Sequence, residues 1–225
     1  FIYISHIHPD HFNIPTLKQL KKTIPIIIHD FPVKYLKNNL EKLGFKVIEI
    51  PHNKRVHLKN NVYINILAAD NCDPQLCGKF FGCSFLEDKP GTNWIDTMSV
   101  IDNGEEVIVN TNDCPFELSK TISKKIKDQY KKIDMLLVGY SGASGYPHCF
   151  EMTEIEREAA AKKKTDLNYW RGENYIKLFE PKYFMPFAGR YVLQGKLTQF
   201  NSLKGEPELE EGFQYLVSKI DQNNH

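Results

Sequence analysis

A dense group of imidazole and carboxylate side chains follows the first apolar run of this chain. Phe1–Ile4 is typical of a short buried strand, and it continues directly into Ser5–His11, which has the pattern H-x-H-x-D-H. Alternate side chains of an extended segment point to the same side, so the first two imidazoles can share one small volume. The pattern therefore predicts a metal site at the end of a strand. The predicted ligands are His6, His8, Asp10 and His11.

These residue types favour zinc or iron. Neutral imidazole nitrogens suit both metals, and a neighbouring carboxylate adds a harder oxygen ligand. A metal held there can polarise a substrate oxygen or lower the pKa of a bound water. We expect one or two ions; the alternative interpretation is a histidine-rich surface turn that binds no metal.

The rest of the chain alternates between strand and helix patterns. Ile26–Ile28 and Met135–Val138 are apolar runs typical of buried strands, and Asn103-Gly104 predicts a hairpin turn. Thr153 and Glu156 predict a capping box that opens a long helix. This order of elements indicates a layered α/β domain. Further predicted elements are the strands Val47–Ile50, Val62–Ala68, Thr97–Ile101, Val107–Val109 and Tyr183–Met185, and the helices Glu117–Tyr130 and Leu209–Ile220.

The composition is that of an ordinary folded protein, and it excludes few functions. The 225 residues are 41% hydrophobic and 25% charged, which is ordinary for one folded domain, so we predict a single domain over residues 1–225. The net charge of +1 gives no electrostatic reason to expect a nucleic acid or a membrane as partner. The chain opens at Phe1 without an initiator Met, and we expect an upstream segment.

The cysteines predict reduced thiols. There are five, an odd number, and none form a C-x-x-C pair, so we expect a cytoplasmic protein without a disulfide scaffold. Cys72, Cys77 and Cys83 lie close together in the sequence, and a second metal or redox site there is the alternative. They belong to a stretch from Asp70 to Trp94 that has no clear period and predicts a long loop.

Ser5–His11 resembles the signature of the metallo-β-lactamase superfamily. Four blocks in the same order, Tyr3–Leu17, Asn110–Cys114, Ser141–Pro147 and Met185–Gly189, resemble the metallo-β-lactamase-like domain of the CMP-N-acetylneuraminate hydroxylase and UDP-N-acetylmuramate hydroxylase families. The resemblance implies a four-layer αββα sandwich that lacks its N-terminal strands in this chain. In these families a Rieske iron–sulfur domain precedes this domain, and together they hydroxylate a sugar nucleotide.

The resemblance also assigns ligands. It implies that His6 and His8 hold one metal and that Asp10 and His11 hold a second. Asp113 follows a predicted strand, where the superfamily has a metal-bridging aspartate; the alternative is that it caps the helix that follows.

Two histidines of the superfamily pattern have no obvious counterpart. Between the first motif and the bridging aspartate, Asp70 and Cys72 are the nearest candidates for an additional ligand. His148 is a candidate for the late histidine, unless it is a plain loop residue. These departures leave a single metal, such as iron, compatible with the sequence. No cysteine precedes a histidine at Rieske spacing, so we expect no iron–sulfur cluster in this chain and a separate electron-transfer domain or partner.

Small residues after the Met135–Val138 strand predict a substrate contact. Backbone N–H groups of Ser141, Gly142 and Ser144 could bind a phosphate, although a flexible connection has the same composition. Arg190 and Tyr191 follow the last strand and could contact an anionic substrate; a surface salt bridge is the alternative for Arg190.

Together these features predict a metal-dependent enzyme domain that acts on a small molecule, namely a sugar nucleotide or similar phosphate-bearing metabolite. Hydrolysis would use Asp10 as orienting base, whereas hydroxylation would use iron here and a Rieske partner. The alternatives are a stand-alone zinc-dependent hydrolase and a degenerate, non-catalytic ligand-binding domain.

Overall fold

The computed structural model describes residues 1–69, 96–187, 189 and 191–221. Within these ranges nine strands form two sheets, ordered β1-β2-β3 and β4-β5-β6-β7-β8-β9. The strands are β1 (Ile2–Tyr3), β2 (Ile26–His29), β3 (Val47–Ile50), β4 (Val56–Lys59), β5 (Val62–Ala68), β6 (Thr97–Asp102), β7 (Val107–Asn110), β8 (Met135–Gly139) and β9 (Tyr183–Phe187).

Five α-helices and one 3₁₀ segment flank the sheets in the same residues. The helices are α1 (Ile14–Gln19), α2 (Tyr35–Lys42), α3 (Phe116–Gln129), α4 (Glu154–Phe179) and α5 (Leu209–Asp221), and the 3₁₀ segment is Gly195–Leu203. The capping box of Thr153 and Glu156 is present at the start of α4, as predicted. None of the helices in these ranges combines the length and hydropathy that a bilayer-spanning segment requires.

Three apolar clusters lie between four layers, which follow one another in the order helix, sheet, sheet, helix. Ile26 and Ile28 pack with residues of α1 and α2, while Ile27 packs against Ile64 and Ile66 of the second sheet. The unbroken run Ile26–Ile28 is apolar because β2 is buried on both faces. The opposite face of the second sheet packs on α3, α4 and α5. The predicted four-layer α/β architecture is therefore confirmed.

Parallel pairing sets the position of the loops. β1, β2 and β3 run parallel, as do β7, β8 and β9, so the segments that follow them emerge at the carboxyl edges of the two sheets. Ser5–His11 follows β1, and Thr111–Asp113 follows β7. A hydrogen bond from Thr97 Oγ1 to the Ser5 carbonyl oxygen (2.9 Å) joins the two edges.

One cross-strand row shows how far the first sheet covers the second. Ile64, Ile101, Ile108, Met135 and Tyr183 are successive partners across β5 to β9 on the face that Ile64 turns to the first sheet. Exposure is 1% at Ile64, 38% at Ile108 and 61% at Tyr183, while Met135 is half-buried. The first sheet therefore leaves apolar side chains of β7–β9 exposed.

Candidate metal centre

The segment after β1 folds into a tight turn that gathers three imidazoles. The backbone N–H groups of His11 and Phe12 both donate to the His8 carbonyl oxygen, at 3.0 and 2.7 Å. The ring of His6 consequently lies 4.6 Å from the ring of His8 and 4.2 Å from that of His11, between centroids. The sequence-predicted motif thus converges on one small volume.

His6, His8 and Asp113 form a first donor group. His6 Nε2 is 2.9 Å from His8 Nδ1 and 3.6 Å from Asp113 Oδ2. Two atoms that each bind one ion at about 2.0–2.2 Å lie roughly 3–3.5 Å apart, so these separations fit a shared ion.

Asp10, His11 and Asp113 form a second donor group. His11 Nε2 is 3.1 Å from Asp113 Oδ2 and 3.8 Å from Asp10 Oδ2. The same carboxylate oxygen of Asp113 therefore belongs to both groups. The donor atoms are imidazole nitrogens and carboxylate oxygens, which fit zinc or iron.

The turn after β7 aims Asp113 at the histidines. Asn112 adopts a left-handed backbone (φ 46°), which asparagine tolerates better than most residues, and its side-chain amide donates to the Thr97 carbonyl oxygen at 2.6 Å. The helix that follows has Pro115 at its N-cap and no side-chain capping bond. The alternative in which Asp113 caps this helix is therefore wrong.

Burial and the interactions with neighbouring charged groups shift the pKa values of these side chains in opposite directions. Burial, with the neighbouring His11, lowers the pKa of His6 to about 3, so this imidazole is neutral at pH 7. Burial also lowers the pKa of His11, but the hydrogen bond and charge of Asp113 outweigh it, and the net pKa is raised. Burial raises the pKa of Asp113, yet the hydrogen bond with His11 outweighs it and the net pKa is lowered. Asp113 is therefore a carboxylate at neutral pH.

Asp96 reaches the site although the sequence analysis did not select it. Its Oδ1 lies 3.2 Å from His6 Nε2. The register that pairs Ser99 with Asn110 in the β6–β7 hairpin, continued outward, sets Asp96 opposite Asp113. Counting back from the Asn103-Gly104 turn would therefore have found it.

Of the other candidate ligands, the structure describes only His148. His148 is buried with its ring 6.2 Å from that of Tyr191, and neither group includes it. Asp70 and Cys72 lie outside the described residues. The whole predicted loop from Asp70 to Trp94 lies within the same undescribed stretch, residues 70–95.

The predicted substrate contacts are engaged within the protein. Ser141 Oγ donates to the Gly189 carbonyl oxygen (3.2 Å), and Gly142 N–H donates to Glu206 Oε2 (3.0 Å). Tyr191 OH donates to the Ser144 carbonyl oxygen (3.0 Å). Arg190 is outside the described residues. A role of this loop in binding substrate stays a prediction.

Comparison with known structures identifies the class of fold. No protein-family model matches the sequence. The diiron β-hydroxylase CmlA from Streptomyces venezuelae superposes with a TM-score of 0.57 at 15% identity, over 98% of this chain and 41% of that one. The metallo-β-lactamase fold protein YhfI from Bacillus subtilis superposes with a TM-score of 0.51 at 13% identity, over 92% of this chain and 71% of that one. The chain thus has the metallo-β-lactamase fold, as the sequence predicted.

Sequence comparison finds similar proteins of two kinds. The chain is 28% identical over 197 residues to a Rieske 2Fe-2S iron–sulfur protein of Mycobacterium tuberculosis, covering 84% of this chain and 34% of that protein. It is 27% identical over 223 residues to the cytidine monophosphate-N-acetylneuraminic acid hydroxylase of Cricetulus griseus, covering 92% and 34%. The chain spans about a third of the length of these curated relatives.

Proposed function

We propose that this chain is the metal-binding, catalytic part of an iron-dependent hydroxylase that receives electrons from a Rieske-type domain or partner. The observation that carries the proposal is Asp113 Oδ2, which lies 3.1 Å from His11 Nε2 and 3.6 Å from His6 Nε2. A carboxylate oxygen common to two donor groups is suited to bridge two ions, which in dinuclear enzymes lie about 3.5–4 Å apart.

The donor set fits iron, and we propose iron because hydroxylation needs a redox-active metal. Among the residues that the structure describes, three imidazoles and the carboxylates of Asp10, Asp96 and Asp113 lie at the site. Asp96 lies between the first motif and Asp113 in the sequence, and its Oδ1 adds a hard oxygen donor beside His6. When bound, iron would supply the redox chemistry that hydroxylation requires, whereas zinc would supply only Lewis-acid polarisation.

The protein side chains have separable tasks in this proposal. Neutral His6 presents a nitrogen lone pair from a fully buried position, and Asp113 supplies the shared negative charge. The side chain of Asp10 is 65% exposed and lies at the open side of the second group. We assign Asp10 to metal binding and keep it as the candidate base that orients a reactant.

Relatives suggest the substrate and the electron source. The names of the relatives mention a nucleotide-linked sugar acid and a Rieske cluster. We therefore propose a sugar nucleotide as substrate, with its phosphate near the loop after β8. Gly142 N–H would have to exchange Glu206 for that phosphate, since the two are now hydrogen-bonded.

Metal reconstitution tests the proposal. The chain is stripped of metal with a chelator, and Fe(II) or Zn(II) is titrated back under anaerobic conditions and counted per chain. We expect about two iron ions to bind. Asp113→Asn should weaken the binding of both ions, because Asp113 belongs to both groups. Asp96→Asn should weaken only the ion of the first group, because Asp96 contacts His6 of that group. Asp128→Asn, whose side chain is 78% exposed on α3, is the matched control and should bind metal like the parent.

Two outcomes would overturn the hydroxylase assignment. Two tightly bound zinc ions without iron binding would favour a stand-alone hydrolase. No stoichiometric binding of either metal would favour a non-catalytic ligand-binding domain.

A further inference from the structure

The hydroxyl of Ser5 contacts one histidine of each donor group. Ser5 Oγ lies 2.9 Å from His6 Nδ1 and 3.1 Å from His11 Nδ1, and the residue is only 3% exposed. His6 belongs to the first donor group and His11 to the second. A single buried oxygen therefore lies behind both halves of the candidate metal centre.

The position of the hydrogen on each imidazole decides whether Ser5 donates or accepts in this contact. A neutral imidazole carries one N–H and one lone pair, and the Nε2 atoms of both rings face the shared oxygen of Asp113. Binding of metal through each Nε2 then requires a hydrogen on each Nδ1. A serine oxygen has two lone pairs, so it can accept both Nδ1–H groups at once while its own O–H points elsewhere.

We propose that Ser5 is a positioning residue that accepts hydrogen bonds from His6 Nδ1–H and His11 Nδ1–H, and so holds both rings in the tautomer that presents Nε2 to the metals. This inference rests on the proposed metal centre. Partners behind metal-binding histidines fix the tautomer and orientation of the ring, and their loss typically costs 10- to 100-fold in metal affinity.

The surroundings hold Ser5 in place. The hydroxyl of Thr97 donates to the Ser5 carbonyl oxygen at 2.9 Å and lies 2.7 Å from the hydroxyl of half-buried Tyr3. Thr97 is itself fully buried at the start of β6, next to Asp96. The Ser5 backbone is therefore anchored to the strand that also brings in a carboxylate.

Zinc is the probe for the test, because it is diamagnetic and avoids oxidation. Zinc affinity is measured by competition with a chelator for the parent chain, Ser5→Ala, Ser5→Thr and the control Ser123→Ala. Ser123 is a fully buried serine on α3 that donates to the Ser119 carbonyl oxygen, outside both donor groups. We expect Ser5→Ala to bind zinc about 10- to 100-fold more weakly. Ser5→Thr, which keeps the hydroxyl, and Ser123→Ala should stay within about threefold of the parent.

Proton NMR of the zinc-loaded protein supplies a readout that general destabilisation would not move. In the parent, the Nδ1–H protons of His6 and His11 should be protected from exchange and shifted downfield. In Ser5→Ala both signals should move upfield or be lost to exchange, while the ring signals of His8 should keep their positions.

The outcomes separate the two proposals. If the parent chain fails to bind zinc and iron, the metal centre itself is refuted. If the parent binds zinc but shows no pair of protected Nδ1–H protons, only the role of Ser5 is refuted, and this holds even where Ser5→Ala does not fold. Unchanged zinc affinity in folded Ser5→Ala would refute the same role.

Discussion

Two histidines illustrate how position decides the chemistry of one residue type. His6 and His29 are both fully buried, at or just beyond the carboxyl ends of β1 and β2, and burial lowers the pKa of each, to about 3 and about 4. His6 faces the carboxylates of the candidate metal centre. His29 instead packs against the rings of Phe31 and His52 and belongs to neither donor group.

His29 predicts a pH dependence of stability for the metal-free protein. The unfolded chain protonates this imidazole near pH 6.5 and the folded chain only near pH 4, so the unfolded state binds more protons between these values. The free energy of unfolding should therefore fall as the pH drops through this window, by up to about 1.4 kcal/mol per pH unit for this group. His29→Gln should reduce the loss between pH 7 and pH 5 by roughly 1–2 kcal/mol, measured by urea unfolding.

The control for this prediction is Asn38→Gln, a change between two side chains that do not titrate, at an exposed position of α2. It should keep the pH dependence of the parent. The same dependence in all three proteins would mean that His29 is not held neutral by burial.

At the scale of elements, β8 shows one strand between two different environments. Leu136 and Val138 are fully buried against the helices, whereas Met135 and Leu137 on the other face are half-buried. The apolar run Met135–Val138 predicted a buried strand but did not indicate that one face is only partly covered.

This asymmetry predicts unequal costs of truncation in β8. Leu136→Ala should lower the free energy of unfolding by about 2–5 kcal/mol, because it removes a side chain from the core and leaves a cavity. Met135→Ala is the matched control on the adjacent position and should cost clearly less, since its side chain keeps contact with solvent. Denaturant unfolding of both variants checks the difference; equal costs would contradict the packing described for β7–β9.

At the scale of the whole molecule, the two sheets cover one another incompletely. The row from Ile64 to Tyr183 leaves the interface between the sheets and becomes exposed over β7–β9. Met185, 44% exposed, pairs with Leu137 in the adjacent row. Contiguous exposed apolar side chains of this kind favour association with other surfaces.

We expect this face to be a main source of self-association at high concentration. Met185→Lys should reduce concentration-dependent association in sedimentation velocity, with a change in stability within about 0.5 kcal/mol. Ile155→Lys, at an 80% exposed position at the start of α4, introduces the same charge away from the face and should have little effect. Equal reduction by both variants would indicate an effect of net charge alone.

Local features could be predicted from the sequence because their causes lie within a few residues. His6, His8, Asp10 and His11 converge through one turn after β1. The hairpin predicted at Asn103-Gly104 forms between β6 and β7, with Gly104 at a positive φ of 90°. The order of elements and the resemblance of short blocks were enough to predict the four-layer fold.

The resemblance had already indicated Asp113, but only the tertiary structure added Asp96 and set the distances of both carboxylates from the histidines. Asp96 and Asp113 reach the histidines through the register of β6 and β7, and Gly142 N–H is engaged by Glu206, which is 64 residues away. Such contacts depend on how strands pair and how sheets pack, and a shift of one residue in register would turn each side chain to the other face. The sequence alone therefore determined the local ligand cluster and, through the resemblance, indicated Asp113, while the packing of the two sheets brought Asp113 to the histidines and added Asp96.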